Sequence, residues 1–267
     1  MTKIHPTAIV EKGAHLDQDV VVGPHCIIES GASIGAGTVL DANVIIAGCV
    51  TVGKSNQIYA GCVLGRCPQV LGFDMKTKVG RVVIGDRNAI RESVTIHPSK
   101  QKDSATVIGD DNLLMVGAHI GHDCVVESKV VFSNCVHAGG HCRIETGAWF
   151  GGVVGVHQFV TVGKWSFAAA LSAVIQDVPP FMIASGHEVR GVNRRGLLRA
   201  GLTQQQQDSI CEAYRKLYRR RGPLLENVRA LSRQDGLDPN VLDIIDSIEK
   251  TSKHRFGRYL ETLRKSS

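Results

Sequence analysis

VVVGPHCIIESGASIGAGTVLDANVIIAGCV (residues 20–50) places an aliphatic side chain at every sixth position: Val22, Ile28, Ile34, Leu40 and Ile46. Working outward, the same phase begins at Ile4, passes Val10 and Leu16, and continues through Val52, Ile58 and Leu64. Four residues after each comes a mostly small side chain: Ala8, Ala14, Val20, Cys26, Ala32, Thr38, Val44, Val50, Asn56 and Cys62. A period of six fits neither the 3.6-residue helix nor a simple alternating strand. At roughly 3.3 Å per residue a hexad is one short flat strand with a corner, and three hexads close a triangular coil of about 18 residues. The reading is therefore a parallel β-helix, an all-β solenoid.

The phase breaks after Leu64, resumes at Ile84, Ile90 and Ile96, lapses over Pro98–Ala105, and runs again from Ile108 to Val174. Two loops, near 66–82 and 98–106, thus leave one solenoid of about ten coils, assigned to residues 1–187. The Val178-Pro179-Pro180 run ends regular coiling. Helical signals then take over: Thr203 with Gln206 reads as a capping box, and Ile210, Ala213 and Leu217 mark one face. Gly222-Pro223 is a stop, and Asp238-Pro239 is an N-cap followed by a first-turn proline. Residues 188–267 are expected to form a small C-terminal α-helical domain.

Composition agrees with a thin-layered core, with 29 glycines and only 5% aromatic residues. No apolar run approaches the ~18 residues of a membrane span, and MTKIHPTAIV lacks the apolar centre of a signal peptide. The expected location is cytoplasmic, without stable membrane insertion. Eight cysteines occur with no CxxC pair, so they read as small buried hydrophobes rather than a zinc framework. Charge is uneven: residues 188–267 hold 17 Lys/Arg against 10 Asp/Glu, and residues 1–187 hold 14 against 15. This basic C-terminal part suits an acidic protein, a nucleotide phosphate or nucleic acid; solvated helix faces are the competing explanation.

In an 18-residue coil, residues i and i+18 stack about 4.8 Å apart on one face. His122 then falls in a column with Gly140 and Gln158, Asp123 with His141, and His119 with His137. Together with His157 they concentrate polar groups on one edge. A neutral imidazole can take a proton from a sugar hydroxyl while a neighbouring carboxylate holds its tautomer, which suggests His122 and Asp123. Gly140 leaves a backbone N–H approachable where an oxyanion would form; a corner glycine is the alternative explanation.

IGDRNAIRESVTIH (84–97), IGDDNLLMVGAHIGHDC (108–124), VHQF (156–159) and QDVPPFMIASG (176–186) resemble the UDP-N-acetylglucosamine O-acyltransferase family of hexapeptide-repeat proteins over nearly the whole chain. The resemblance implies left-handed coiling, a cytoplasmic homotrimer with sites between subunits, and no cofactor or metal. It also implies acyl transfer from acyl carrier protein to the 3-hydroxyl of UDP-N-acetylglucosamine, with no nucleic-acid partner. It implies His122 as general base, Asp123 as its support and Gly140 as oxyanion donor, with substrate contacts at His119, His141, His157 and Gln158. In GVNRRGLLRAG (191–201) it implies nucleotide contacts at Asn193 and Arg199. Where the family reads PQDLK, this chain has Pro68-Gln69-Val70-Leu71-Gly72-Phe73-Asp74-Met75-Lys76, so Gln69, Asp74 and Lys76 are the candidates there. The family's paired arginines appear as Arg199-Ala200. The position that measures acyl length in the family aligns with Ala170, and His187 is a second candidate.

Three other readings compete: another hexapeptide-repeat sugar-nucleotide N-acyl- or acetyltransferase, a trimeric zinc carbonic anhydrase using His119, His137 and His141, and a non-catalytic scaffold. The N-acyltransferase carries an extra N-terminal domain, whereas the repeat here starts at Ile4, and a scaffold leaves the polar edge unexplained.

Overall fold

The computed structural model describes residues 1–74, 76–186 and 188–264. Strands mostly two residues long, such as Leu113–Leu114, His119–Ile120 and Val125–Val126, follow one another around each coil. They stack into three sheets of 11, 9 and 8 strands, all parallel within the solenoid, which coils left-handed. Partners lie 18 residues apart, as in Lys3↔Val21 and His119↔His137. The offset widens to 32 residues at Val50↔Val82 and to 24 at Arg81↔Ala105, where the two loops leave the coil.

The hexad works because its two recurrent positions point inward. Ile28, Ile34, Leu40, Ile46, Cys26 and Ala32 are almost fully buried, and one apolar column runs from Val20 to Ala184. The corner position also recurs every sixth residue and takes a left-handed backbone, as at Asp111, Asp123, Lys129, Cys135, His141 and Phe159, with glycine at 117 and 147. A single left-handed residue is what a tight corner requires, and most non-glycine residues tolerate it only under tertiary constraint.

Past the Pro179-Pro180 run the sequence expectation needs one amendment. Residues 188–192 do not begin a helix: the strand Glu188–Val192 pairs antiparallel with Met182–Ser185 at the sheet edge. An open edge offers unpaired N–H and C=O groups, and an extended EVRGV segment satisfies them. Helix α1 (Arg194–Arg199), α2 (Gln204–Tyr214), α3 (Leu224–Ser232) and α4 (Pro239–Ser252) follow. The Thr203–Gln206 capping box and the Asp238 cap ahead of Pro239 are both formed. The helices bury Leu197, Ile210, Leu217, Val228 and Ile244 against Phe181 and Met182 of the last coil. The chain then returns to the solenoid, where the Asp177 carboxylate accepts from the backbone N–H of Thr161 (2.7 Å) and Tyr259 (2.8 Å).

Of the eight cysteines, Cys26, Cys62, Cys124 and Cys142 are buried hydrophobes as expected; Cys49, Cys67 and Cys211 are half-buried, and Cys135 is exposed on a corner. No helix among the described residues is long and apolar enough to cross a membrane.

Candidate functional site

The stretch 119–123 leaves the second sheet and turns the corner into the third. His119 lies on the strand and faces outward; His122 and Asp123 form the corner. Because Asp123 takes the left-handed conformation (φ 61°), its carboxylate folds back onto the preceding imidazole. Its Oδ2 meets His122 Nδ1 at 2.7 Å, with both side chains largely buried. The Ser99 hydroxyl donates to the other carboxylate oxygen, and the Lys100 N–H to Oδ2 at 3.3 Å. Burial alone would raise the Asp123 carboxyl, but the hydrogen bonds from His122, Ser99 and Lys100 outweigh it and hold it below its ordinary range. An ionised Asp123 therefore fixes the proton on His122 Nδ1 and leaves Nε2 as the free basic nitrogen.

One coil further on, Gly140 lies against that imidazole. A Cβ there would fall 2.6 Å from His122 Cε1 and 2.7 Å from Nε2. Its backbone is not left-handed, so the glycine answers to close approach rather than to corner geometry. Among the described residues its N–H donates to no acceptor, which leaves it beside the free nitrogen of His122.

His141 continues the Asp123 corner column, with Nε2 3.8 Å from Asp123 Oδ2 and its ring stacked on Phe159 at 4.6 Å. Burial lowers its pKa against the opposing pull of Asp123. His119 Nδ1 meets Thr95 Oγ1 at 2.9 Å, and burial, with smaller effects from His97 and His137, pushes its imidazole down to about 4. It is neutral near pH 7. His157 and Gln158 are exposed, with His157 Nδ1 3.0 Å from the Gln158 carbonyl.

A cavity of about 310 Å³ gathers Gln69, His119, His122, Gly140, His157 and Gln158, together with His97, which the sequence reading passed over. His141 and Asp123 open instead onto a neighbouring cavity of about 530 Å³ closed by Leu260, Leu263 and Arg264. Asp74 and Lys76 sit in an exposed turn, where Asp74 Oδ1 accepts from the Lys76 N–H at 2.9 Å, and line neither cavity. Asn193 and Arg199 border a third cavity of about 440 Å³. The Asn193 side chain is occupied structurally, capping α1 through Gly196 N and donating to the Trp165 carbonyl at 2.8 Å. The Arg199 guanidinium lies over the rings of Trp149 (4.9 Å) and Trp165 (5.4 Å). Ala170 is exposed on a different corner, above Gly151. His187 lies outside the described residues.

His119, His137 and His141 do not converge: the rings of His119 and His137 meet edge-to-face on one sheet face with centroids 6.1 Å apart, whereas His141 is on the corner. Among the described residues, the donor atoms that do come within 4.8 Å of one another belong to His122, Asp123 and His141. There the carboxylate is already engaged by His122, Ser99 and Lys100.

A left-handed solenoid of six-residue repeats with a histidine–aspartate pair on its edge defines a hexapeptide-repeat transferase. Residues 177–257 match the family model described as UDP-N-acetylglucosamine O-acyltransferase, domain 2. A Paraburkholderia phymatum protein named acyl-(acyl-carrier-protein)--UDP-N-acetylglucosamine O-acyltransferase is 45% identical, over 95% of this chain and 98% of its own. The crystal structure of the UDP-N-acetylglucosamine O-acyltransferase from Moraxella catarrhalis RH4 is 36% identical with a TM-score of 0.85, covering 92% of this chain and 96% of that one. The Francisella novicida UDP-N-acetylglucosamine acyltransferase is 34% identical with a TM-score of 0.87, covering 95% and 92%. The chain belongs to the UDP-N-acetylglucosamine O-acyltransferase family. Neither the N-acyltransferase nor the carbonic anhydrase reading is favoured by these relatives.

Proposed function

We infer that this chain transfers a fatty acyl group from acyl carrier protein to the 3-hydroxyl of UDP-N-acetylglucosamine, the first step of lipid A biosynthesis. The observation that carries the reading is His122, held by Asp123 from behind, set against the Gly140 N–H in one cavity. His122 Nε2 takes the proton of the sugar hydroxyl as its oxygen attacks the thioester carbonyl. Negative charge grows on the carbonyl oxygen, and the Gly140 N–H stabilises it. Collapse of the intermediate breaks the carbon–sulfur bond, and the imidazolium returns its proton to the departing thiolate. Ionised Asp123 stabilises the imidazolium in between.

Gln69, His119, His157 and Gln158 are assigned to the sugar in the cavity of His122, and His141 to substrate in the neighbouring cavity. Arg199 is assigned to the diphosphate and Asn193 to shaping the adjoining turn. Asp74 and Lys76 line neither cavity and are assigned to a site shared with a neighbouring subunit of a cytoplasmic homotrimer. The helices that follow the Glu188–Val192 strand are assigned to receiving acyl carrier protein. Mass spectrometry of the product from UDP-N-acetylglucosamine and a panel of acyl carrier protein thioesters tests the reading. An acylated sugar nucleotide is expected; none across the panel would overturn it.

A further inference from the structure

The loop at 98–106 interrupts the hexad phase, and its second residue delivers a hydroxyl to the back of the His122–Asp123 pair. Ser99 is fully buried. Its carbonyl accepts from the Gly80 N–H at 2.8 Å, which pins the base of the loop to the chain ahead of the Arg81–Ile84 strand. Its Oγ accepts from the Gln101 N–H at 3.0 Å. Two acceptors lie within reach of its single proton, the Gln101 carbonyl at 3.1 Å and Asp123 Oδ1. An ionised carboxylate is the stronger acceptor of the two, so the proton goes to Asp123. A chain of hydrogen bonds then runs from the Gln101 N–H through Ser99 to Asp123 and His122, each link polarising the next.

The contact matters because Asp123 has two histidines within reach. Its Oδ2 is 2.7 Å from His122 Nδ1 and 3.8 Å from His141 Nε2. The terminal torsion of an aspartate is soft, so a carboxylate held at one oxygen can turn between partners, whereas one held at both cannot. Thr106 Oγ1 accepts from the Asp123 backbone N–H at 2.8 Å, which fixes the corner but not that torsion. We propose that Ser99 is a positioning residue for the acyl transfer: its hydroxyl holds Asp123 Oδ1 so that Oδ2 stays on His122 rather than on His141. The inference rests on the acyl-transfer reading above.

The same donation bears on proton uptake by the pair. It stabilises the pair most while the pair carries its full negative charge, before His122 is protonated, so losing it eases protonation and moves the midpoint to higher pH. Lys100, His141, Arg143 and Arg264 face the pair from the Asp123 side, and His97, His119 and His157 from the His122 side. All of these remain in a Ser99 variant, so a difference from wild type reports the hydroxyl.

Ser99→Ala deletes the donor, and Ser99→Cys fills the space with a weaker one. The first readout needs no turnover: NMR titration of histidine-labelled protein, with the His122 ring signal identified by its loss in His122→Ala. In Ser99→Ala the midpoint of the pair is expected to rise by about half a pH unit or more. The second is kinetic. Above that midpoint kcat should fall about tenfold, both KM values should stay within about twofold, and the acid limb of kcat/KM should move up with the titration. Ser99→Cys should recover at least about threefold in kcat, with a smaller shift in the same direction. A wild-type midpoint and kcat in Ser99→Ala would overturn the proposal. So would raised KM values with an unmoved midpoint, which would assign Ser99 to holding the loop. If Ser99→Ala does not fold, Ser99→Cys is read in its place, and a failure of both to fold also overturns the proposal. Wild-type protein that acylates no sugar nucleotide would defeat the acyl-transfer reading, whereas an unmoved midpoint beside normal wild-type activity defeats this inference alone.

Discussion

An imidazole works as a base only when one nitrogen is held and the other is free, and His122 meets both conditions through a corner residue. Asp123 reaches it because the left-handed turn sends two successive side chains toward the same spot. His122→Ala is expected to lose at least about 100-fold in turnover with its fold intact, the usual scale for a general base. Near wild-type turnover would remove His122 from that role. His119 illustrates the opposite use of burial. An unfolded histidine binds its proton near pH 6.5, but folded His119 does so only near 4. Its contribution to stability is complete above pH 6.5 and is lost as pH falls toward 4. Asp177, raised by burial to about 6, pulls the other way, because it keeps a proton in the fold that the unfolded chain has lost. His119→Asn should therefore lose less stability than wild type between pH 7 and pH 5, read from urea midpoints. Parallel curves for the two proteins would contradict the shift.

At the scale of coils, the hexad phase made the solenoid, both loops and the His122–Gly140 and Asp123–His141 columns readable, because one periodic demand, an inward aliphatic, governs them all. His97 was harder. It stacks below Gly121 only after the six-residue surplus of the 98–106 loop is removed from the count, and its chemistry depends on the carbonyls of Arg66 and Cys67, which no period predicts. The Glu188–Val192 strand was likewise hidden, since pairing with an exposed edge is a tertiary demand. Asn193 was read for its ligand chemistry and found capping a helix.

A second hidden device is a buried asparagine ladder at the inward small-residue position. Asn56 Oδ1 accepts from Asn88 N and Nδ2, and Asn88 Oδ1 accepts from Asn112 N. The ladder crosses the first long insertion and holds coils in register where the chain between them is longest. Asn88→Ala strands several of these groups at once, and each buried unpaired group costs about 1–3 kcal/mol, so a loss of about 2 kcal/mol or more is expected in urea unfolding. A change under about 0.5 kcal/mol would show that the ladder does not hold the register.

The outer face of the second sheet changes along the axis from His119 and His137 to the small, exposed Gly155 and Ala173, forming a smooth strip toward the corner carrying Ala170. An acyl chain leaving the Gly140 region can lie on that strip. A methyl at its end displaces about one methylene, worth roughly 0.8 kcal/mol when buried. Ala170→Gly should shift preference toward longer acyl groups and Ala170→Met toward shorter ones in competition assays with mixed-length thioesters. An unmoved optimum in both would place the limit elsewhere.

Across the whole molecule, charge separates along the axis: the solenoid is nearly neutral and the basic excess lies in the C-terminal part. Within that part Arg219, Arg220 and Arg221 are exposed between α2 and α3, where Arg219 ends the π-helical segment Arg215–Arg219 and the other two follow it. None of the three forms an ion pair among the described residues. Such a cluster adds little to folding, because exposed charges are well solvated, but it raises encounter rates with an acidic partner in a salt-dependent way. We propose acyl carrier protein, the acyl donor of the inferred reaction, as the partner it serves. Reversing all three to Glu should raise KM for the acyl donor several-fold, leave KM for UDP-N-acetylglucosamine unchanged, and flatten the salt dependence of the donor's kcat/KM. The opposing effect of salt separates docking from damage: screening weakens attraction in the wild type but relieves repulsion in the variant, so the two should approach each other as ionic strength rises. A deficit equal for both substrates and insensitive to salt would mean that the substitutions disturb the helical part itself.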